Sequence, residues 1–201
     1  MSIKDTIVIF DFGSQFTQLI ARRIRELNIY SEIINYSKIR KFKFKKNIKG
    51  IILSGGPSDV NKIGSPKLGL GFFNLKIPIL GICYGHQLIA KKLGGKIKSS
   101  TKREFGFAKL IKHKKSILTD NFFLNSESNS VWMSHQDIVA TIPSGFEKIA
   151  YTRHSKNAVI QNKKKRIYGI QFHPEVSHTR NGKILLKNFV IKICNARKSW
   201  N

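Results

Sequence analysis

Two short stretches carry residue types that can do covalent chemistry together. The first is GICYGHQ at 81–87, where Cys83 is framed by Gly81 and Gly85, two positions to either side. The apolar run IPILGIC (77–83) reads as a strand, and YGHQLIAKKLGG (84–95) as a helix stopped by Gly94 and Gly95, with almost no loop between them. So abrupt a passage from strand to helix forces the residue at the junction to positive φ, a conformation uncomfortable for anything but glycine. Glycines two positions away let the two backbones crowd together there. This is the nucleophile-elbow arrangement usually written G-x-S-x-G, here with cysteine. It lifts the sulfur clear of the sheet and sets it at a helix N-terminus, where the dipole and free N–H groups favour thiolate. Cys194, in an amphipathic helix with no glycine frame, is read as a packing residue.

A thiolate nucleophile needs a proton shuttle. His86 lies close in sequence, but the helix it belongs to directs it away from an elbow sulfur. The second stretch, RIYGIQFHPEVSH (166–178), offers a better base. Its apolar strand YGIQF delivers His173 at its end, Pro174 stiffens the exit, and Glu175 is close enough to hold the imidazole by its other nitrogen. Cys83, His173 and Glu175 then make nucleophile, base and orienting acid. Attack on an acyl carbon also needs donors for an oxyanion. The N–H of Tyr84, directly after the nucleophile, is one candidate. The N–H of Gly56, in the SGGP turn that ends a third strand, is the other, since glycine allows close approach and the required peptide orientation.

The elements that must position these groups alternate in the first half of the chain. TIVIFDFG (6–13) is a strand buried on both faces, SQFTQLIARRIRELN (14–28) a helix with Ser14 as its N-cap, YSEIIN (30–35) a second strand and GIILSGGP (50–57) a third. Such alternation predicts an α/β fold with an open, mostly parallel sheet and helices on both faces. The second half (GKIKSS, FGFAKLIKH, VWMSHQDIVATIP, FEKIAYTRH, NAVIQNKKKRIYGIQFHPE) reads as shorter alternating strands forming a smaller antiparallel sheet. GKILLKNFVIKICN (182–195) closes the chain as an amphipathic helix, with Ile184, Leu185, Asn188 and Phe189 on one side. The charged run at 40–49 is an exposed helix or loop.

With 201 residues, 41% of them hydrophobic, the chain fits one globular domain, 1–201. It has no run apolar enough to span a bilayer and no signal or transit sequence at its start, and its two distant cysteines make no disulfide framework. These features point to a reducing, cytoplasmic setting. The formal net charge of +26 invites a nucleic-acid reading. Yet the excess is mostly lysine scattered along the chain, without an RNA-recognition signature, zinc-finger spacing or basic heptads. It reads as a solvated surface, with a salt-screened attraction for anionic ligands or an acidic partner.

SGGP, GICYGHQ and FHPE, in that order and spacing, resemble the class I (triad) glutamine amidotransferases over nearly the whole chain. The segments IVIFDFGSQFTQLIARRIREL, REFG (103–106), VWMSHQD (131–137) and HPEVSHTRNGKILLKNF (173–189) resemble the branch of that family serving purine nucleotide synthesis. The resemblance implies hydrolysis of the side-chain amide of L-glutamine through a cysteinyl thioester. It implies Gln87 as a substrate-binding side chain, and the loop of Ser134, His135, Gln136 and Asp137 as the reader of the substrate's amino and carboxylate ends. An aspartate facing an ammonium makes physical sense. Gln136 stands where the family usually has glycine, and His154 where it has asparagine. By the same resemblance the ammonia passes to an ATP pyrophosphatase/synthetase, fused or separate, that converts XMP to GMP. ATP and magnesium belong with that partner, whose SGGVDS-type phosphate loop does not occur here; this domain is expected to need no cofactor and no metal, and to turn over slowly until docked. Other readings are a glutaminase of another pathway, a γ-glutamyl hydrolase on the same fold and, more remotely, a non-catalytic basic nucleic-acid-binding protein.

Overall fold

A computed structural model describes residues 4–200. Nine strands form one sheet: β1 (Thr6–Asp11), β2 (Tyr30–Asn35), β3 (Ile48–Leu53), β4 (Ile79–Ile82), β5 (Lys96–Lys112), β6 (Ser128–Thr141), β7 (Glu147–Tyr151), β8 (Val159–Asn162) and β9 (Ile167–Ile170). Their order across it is β2-β1-β3-β4-β9-β8-β7-β5-β6. The first five in that order run parallel and the rest pair antiparallel. The expected α/β class with its open sheet is borne out. The antiparallel strands extend the same sheet through β8 and β9, so the two halves of the chain share one hydrogen-bonded framework.

Strand periodicity explains how helices come to cover both faces. In β1, Ile7 and Ile9 point to one side, where they pack with α1 (Thr17–Arg25) and α3 (Gly182–Lys187) through Ile20, Ile24, Leu185 and Leu186. Val8 and Phe10 point to the other, where α2 (Tyr84–Lys92) contributes Tyr84, Leu88 and Ile89. A strand buried on both faces is continuously apolar, and β1 is buried from Thr6 to Phe10.

Some boundaries differ from the sequence reading. The first helix begins at Thr17, not Ser14, and Phe16 occupies the N-cap position without a side-chain cap. Ser14 instead closes a turn: its Oγ accepts from the Phe16 N–H at 3.1 Å and its carbonyl from the Thr17 N–H at 3.2 Å. Asp11 does the capping work nearby, accepting from the Gly13 N–H at 2.9 Å and from Thr17 Oγ1 at 2.7 Å. GKIKSS and FGFAKLIKH belong to one 17-residue strand, β5, whose register against β6 breaks between Ser99 and Glu104. The closing helix widens to π geometry over Asn188–Ile193. There Asn188 Nδ2 donates to the carbonyls of Leu118 (3.1 Å) and Asp120 (2.6 Å). On its buried side Leu186, rather than Ile184, joins the core. In the charged run, Phe42 and Phe44 turn inward to meet Phe10 edge-on, and Lys41, Lys43 and Lys45 stay outside. Among the described residues no helix is long and apolar enough to cross a membrane.

Candidate active site

Because β1, β3, β4 and β9 run parallel, their carboxyl ends emerge along one edge of the sheet. A cleft of about 580 Å³ opens there. Ligands of open α/β sheets bind outside the carboxyl ends of the strands, and the cleft sits in that position.

Cys83 follows β4 directly and has φ 51° and ψ −102°, the strained junction its frame demands. Three main-chain bonds hold the junction, two of them made by Cys83 itself. Its N–H donates to Ile170 O at 2.8 Å, its carbonyl accepts from the Gln87 N–H at 3.1 Å, and the Gly85 N–H donates to Ser54 O at 3.1 Å. The framing glycines are obligatory on steric grounds. A Cβ at Gly81 would lie 2.5 Å from the Gly85 carbonyl, and one at Gly85 would lie 2.3 Å from Leu53 O.

His173 reaches the same space from the end of β9, anchored by its N–H to Trp132 O at 3.0 Å and by Thr179 Oγ1 donating to its carbonyl at 2.6 Å. Glu175, fully buried, places Oε1 2.7 Å from His173 Nδ1, which leaves Nε2 for the sulfur. A Cβ at Gly55 would lie 3.1 Å from His173 Cε1 and 3.6 Å from Cys83 Cβ, so imidazole and thiol wall one narrow volume. Burial opposes a charge on the ring. The Glu175 carboxylate and the hydrogen-bonded Cys83 sulfur outweigh that opposition, and the His173 pKa is raised to about 10. An imidazolium beside a sulfur suits it to donate a proton to a departing nitrogen.

Around the sulfur, Ser134 O lies 3.7 Å away as an acceptor and Gln171 Nε2 3.8 Å away as a donor. Gly56 and Tyr84 line the cleft, and among the described residues neither N–H is spent on another hydrogen bond. The Tyr84 side chain is occupied elsewhere: its hydroxyl donates to Pro66 O at 2.6 Å, and burial raises its pKa. Gln87 donates from Nε2 to Asp137 O at 2.7 Å, which leaves its carbonyl oxygen free. On β6 the side chains alternate, so Ser134 and Gln136 are exposed while His135 is buried with Nε2 3.3 Å from Glu104 Oε2. The Glu104 carboxyl, against the effect of its burial, is held below the usual range by the adjacent His135 imidazole and by the hydrogen bond from Thr152 Oγ1. Burial raises the Asp137 carboxyl, with Asp59 adding to that and Ser99 opposing it.

The structure thus gathers Cys83, His173, Gly56, Tyr84, Gln87 and residues 134–137 around one cleft, with Glu175 behind His173. His135 touches the cleft, yet its imidazole turns inward to Glu104. His86 is fully buried against Gly169, and burial drives its pKa down to about 3, so it stays neutral and away from the chemistry. Cys194 is buried and packs against Gly50, where a Cβ would meet its sulfur at 2.4 Å. Two residues that the sequence reading missed, Ser54 and Gln171, are fully buried beside the cleft. The signal for Gln171 was a lone amide inside the apolar run YGIQF. A larger hollow of about 1,010 Å³, lined by residues that include Lys112, Lys115, Lys163 and Arg166, has no cysteine or histidine among its lining residues. Among the described residues, no three His, Cys, Asp or Glu side chains converge as a metal site.

Comparison with known proteins gives three findings. The family model described as glutamine amidotransferase class-I matches residues 8–193. The GMP synthase [glutamine-hydrolyzing] of Brachyspira hyodysenteriae is 51% identical over 98% of this chain and 38% of its own length; that of Clostridium tetani is 48% identical with the same two coverages. The chain therefore spans less than half the length of these curated relatives. A crystal structure from Thermoplasma acidophilum, provisionally described as a subunit of GMP synthase, superposes with a TM-score of 0.80 at 29% identity, covering 97% of this chain and 96% of that one.

Proposed function

This chain belongs to the class I glutamine amidotransferase family, and from that premise we propose that it is the glutaminase part of a glutamine-hydrolysing GMP synthase. Its substrate is L-glutamine, and its ammonia goes to an ATP-dependent synthetase part that converts XMP to GMP. That part is a separate polypeptide or a further domain, and ATP and magnesium act there; residues 1–201 form a single glutaminase domain working in the cytoplasm.

In this reading the Cys83 thiolate attacks the carboxamide carbon, and the carbonyl oxygen becomes an oxyanion held by the N–H groups of Gly56 and Tyr84. His173 gives its proton to the amide nitrogen, the C–N bond breaks and ammonia leaves a γ-glutamyl thioester on Cys83. Neutral His173 then takes a proton from water as the water attacks the thioester. A second oxyanion collapses, releasing glutamate and restoring the thiolate–imidazolium pair. Glu175 orients the ring and stabilises its charge throughout. The free carbonyl oxygen of Gln87 and the segment Ser134–Asp137 hold the amino-acid end of the substrate, with Asp137 facing the ammonium and His135 supporting the segment from behind.

The observation that carries the reading is the strained cysteine sharing a narrow volume with the His173–Glu175 pair. The near-50% identity to GMP synthases supports this pathway over those of other glutaminases. The test is transfer of label. With glutamine carrying ¹⁵N in its amide, the chain together with the synthetase part, XMP and ATP–Mg is expected to yield ¹⁵N-GMP, with glutamate release faster than from the chain alone. Release of glutamate with no labelled GMP refutes the assigned pathway, and cleavage of γ-glutamyl peptides in preference to glutamine refutes the substrate.

A further inference from the structure

Ser54 directly follows β3, just before Gly55 and Gly56, and is itself fully buried. Its hydroxyl joins two loops: Oγ accepts from the Phe12 N–H at 2.9 Å and donates to Gly55 O at 2.7 Å. Its main chain is tied on both sides, the N–H to Phe10 O at 3.0 Å and the carbonyl to the Gly85 N–H at 3.1 Å. The hydroxyl is therefore fixed relative to the end of β1 and to the first turn of the elbow helix.

That fixed hydroxyl decides which way one peptide faces. A trans peptide is planar, with its C=O and N–H pointing in opposite directions. With Gly55 O drawn inward to Ser54 Oγ, the Gly56 N–H of the same peptide points away from the core, on the side where Gly56 lines the cleft. The peptide lies between two glycines, which enter either half of φ space readily, so its own backbone does little to stop a half-turn. A turned peptide would present a carbonyl oxygen where an oxyanion must be received. Larger residues cannot supply the restraint. A Cβ at Gly55 would crowd His173 Cε1 at 3.1 Å, and one at Gly56 would strike Phe12 O at 2.4 Å.

We propose that Ser54 is a positioning residue whose hydroxyl latches the Gly55–Gly56 peptide so that the Gly56 N–H stands ready for the oxyanion formed when Cys83 attacks. The inference rests on the glutaminase reading above. It is tested with Ser54→Ala and Ser54→Thr in the chain joined by its synthetase part, measuring glutamine hydrolysis and iodoacetamide alkylation of Cys83. Alkylation needs the thiolate but forms no oxyanion. Loss of a whole oxyanion donor costs about 100- to 1,000-fold in kcat. A donor that is merely unlatched should cost Ser54→Ala about 10- to 100-fold in kcat, with KM within about twofold and alkylation unchanged. Ser54→Thr, which keeps the hydroxyl, should recover most of the rate. Wild-type kcat in Ser54→Ala overturns the proposal. So does alkylation that falls in step with kcat, since the hydroxyl would then be supporting the nucleophile or the fold. Absence of glutamine hydrolysis in the wild type strikes the glutaminase reading instead. The latch then stands or falls on a crystal structure of Ser54→Ala, where a turned or doubly oriented 55–56 peptide is expected and a single unchanged orientation overturns it.

Discussion

Replacing Glu175 by glutamine keeps the shape of the side chain and removes its charge. In the wild type the carboxylate lies 2.7 Å from His173 Nδ1, with both groups buried. At an effective dielectric of about 20, two unit charges at that distance attract by about 6 kcal/mol before the cost of burial is subtracted. The net outcome for His173, with the sulfur contributing, is a rise from the ordinary 6.5 to about 10. At about 1.4 kcal/mol per pH unit this amounts to roughly 5 kcal/mol, to which the carboxylate is the largest raising contributor. The alkaline limb of kcat/KM for glutamine reports loss of the proton that His173 must donate. It is expected near pH 10 in the wild type and at clearly lower pH in Glu175→Gln, on a plateau lowered about 100- to 10,000-fold because the ring also loses its orientation. Iodoacetamide alkylation of Cys83 requires no acid and should show no alkaline fall in either protein. Stability follows the same linkage. A raised folded-state pKa contributes stability fully below pH 6.5 and loses it as pH rises toward 10. The wild-type Tm should therefore fall over that interval more steeply than that of the variant. A Glu175→Gln enzyme with the wild-type alkaline limb and plateau would refute the assignment of Glu175 as the group that charges and orients His173.

Gly85→Ala places its Cβ 2.3 Å from Leu53 O, a backbone atom that cannot move aside, so a loss of about 2–4 kcal/mol is expected. In thermal unfolding this reads as a Tm lower by about 5–15 °C, whereas Gly71→Ala, with nothing within 4 Å of the added carbon, should leave Tm unchanged. Gln171→Leu removes the amide donor 3.8 Å from the Cys83 sulfur. Alkylation of Cys83 at neutral pH should slow about fivefold, corresponding to about 1 kcal/mol for one weak donor to a thiolate; an unchanged rate would show that the amide does not support the charge.

What the sequence disclosed was whatever depends on local backbone geometry. Apolar runs broken by glycine located β1, β3, β4 and α2, and the spacing of Gly81, Cys83 and Gly85 foretold a junction at positive φ. Strand–helix alternation gave the parallel order of β1, β3 and β4, but not the parallel pairing of β9 with β4 that brings His173 beside Cys83 from 90 positions later in the chain, since that strand reads as part of an antiparallel group. Features set by long-range partners were hidden. Nothing near Ser14 reveals that Asp11 holds the first helical turn, because the bond depends on how the chain leaves β1. The inward turn of His135 depends on Glu104, which faces it only after the register break in the β5–β6 hairpin. Ser54 is an ordinary polar residue until the fold buries it. The alternation of KFKFKK held a usable signal, since every second residue there packs inward on Phe10, but the run of charge obscured it.

The central claim is that strain in the sheet presents one activated sulfur to His173 for attack on glutamine. The most direct test is peptide mapping by mass spectrometry after exposure to 6-diazo-5-oxo-norleucine, a glutamine-shaped electrophile, in the presence of the synthetase part. A single adduct on Cys83, suppressed by glutamine, is expected, and Cys194, buried with its thiol pKa pushed up, should stay unmodified. Labelling at Cys194, or at Cys83 without protection by glutamine, would contradict the claim.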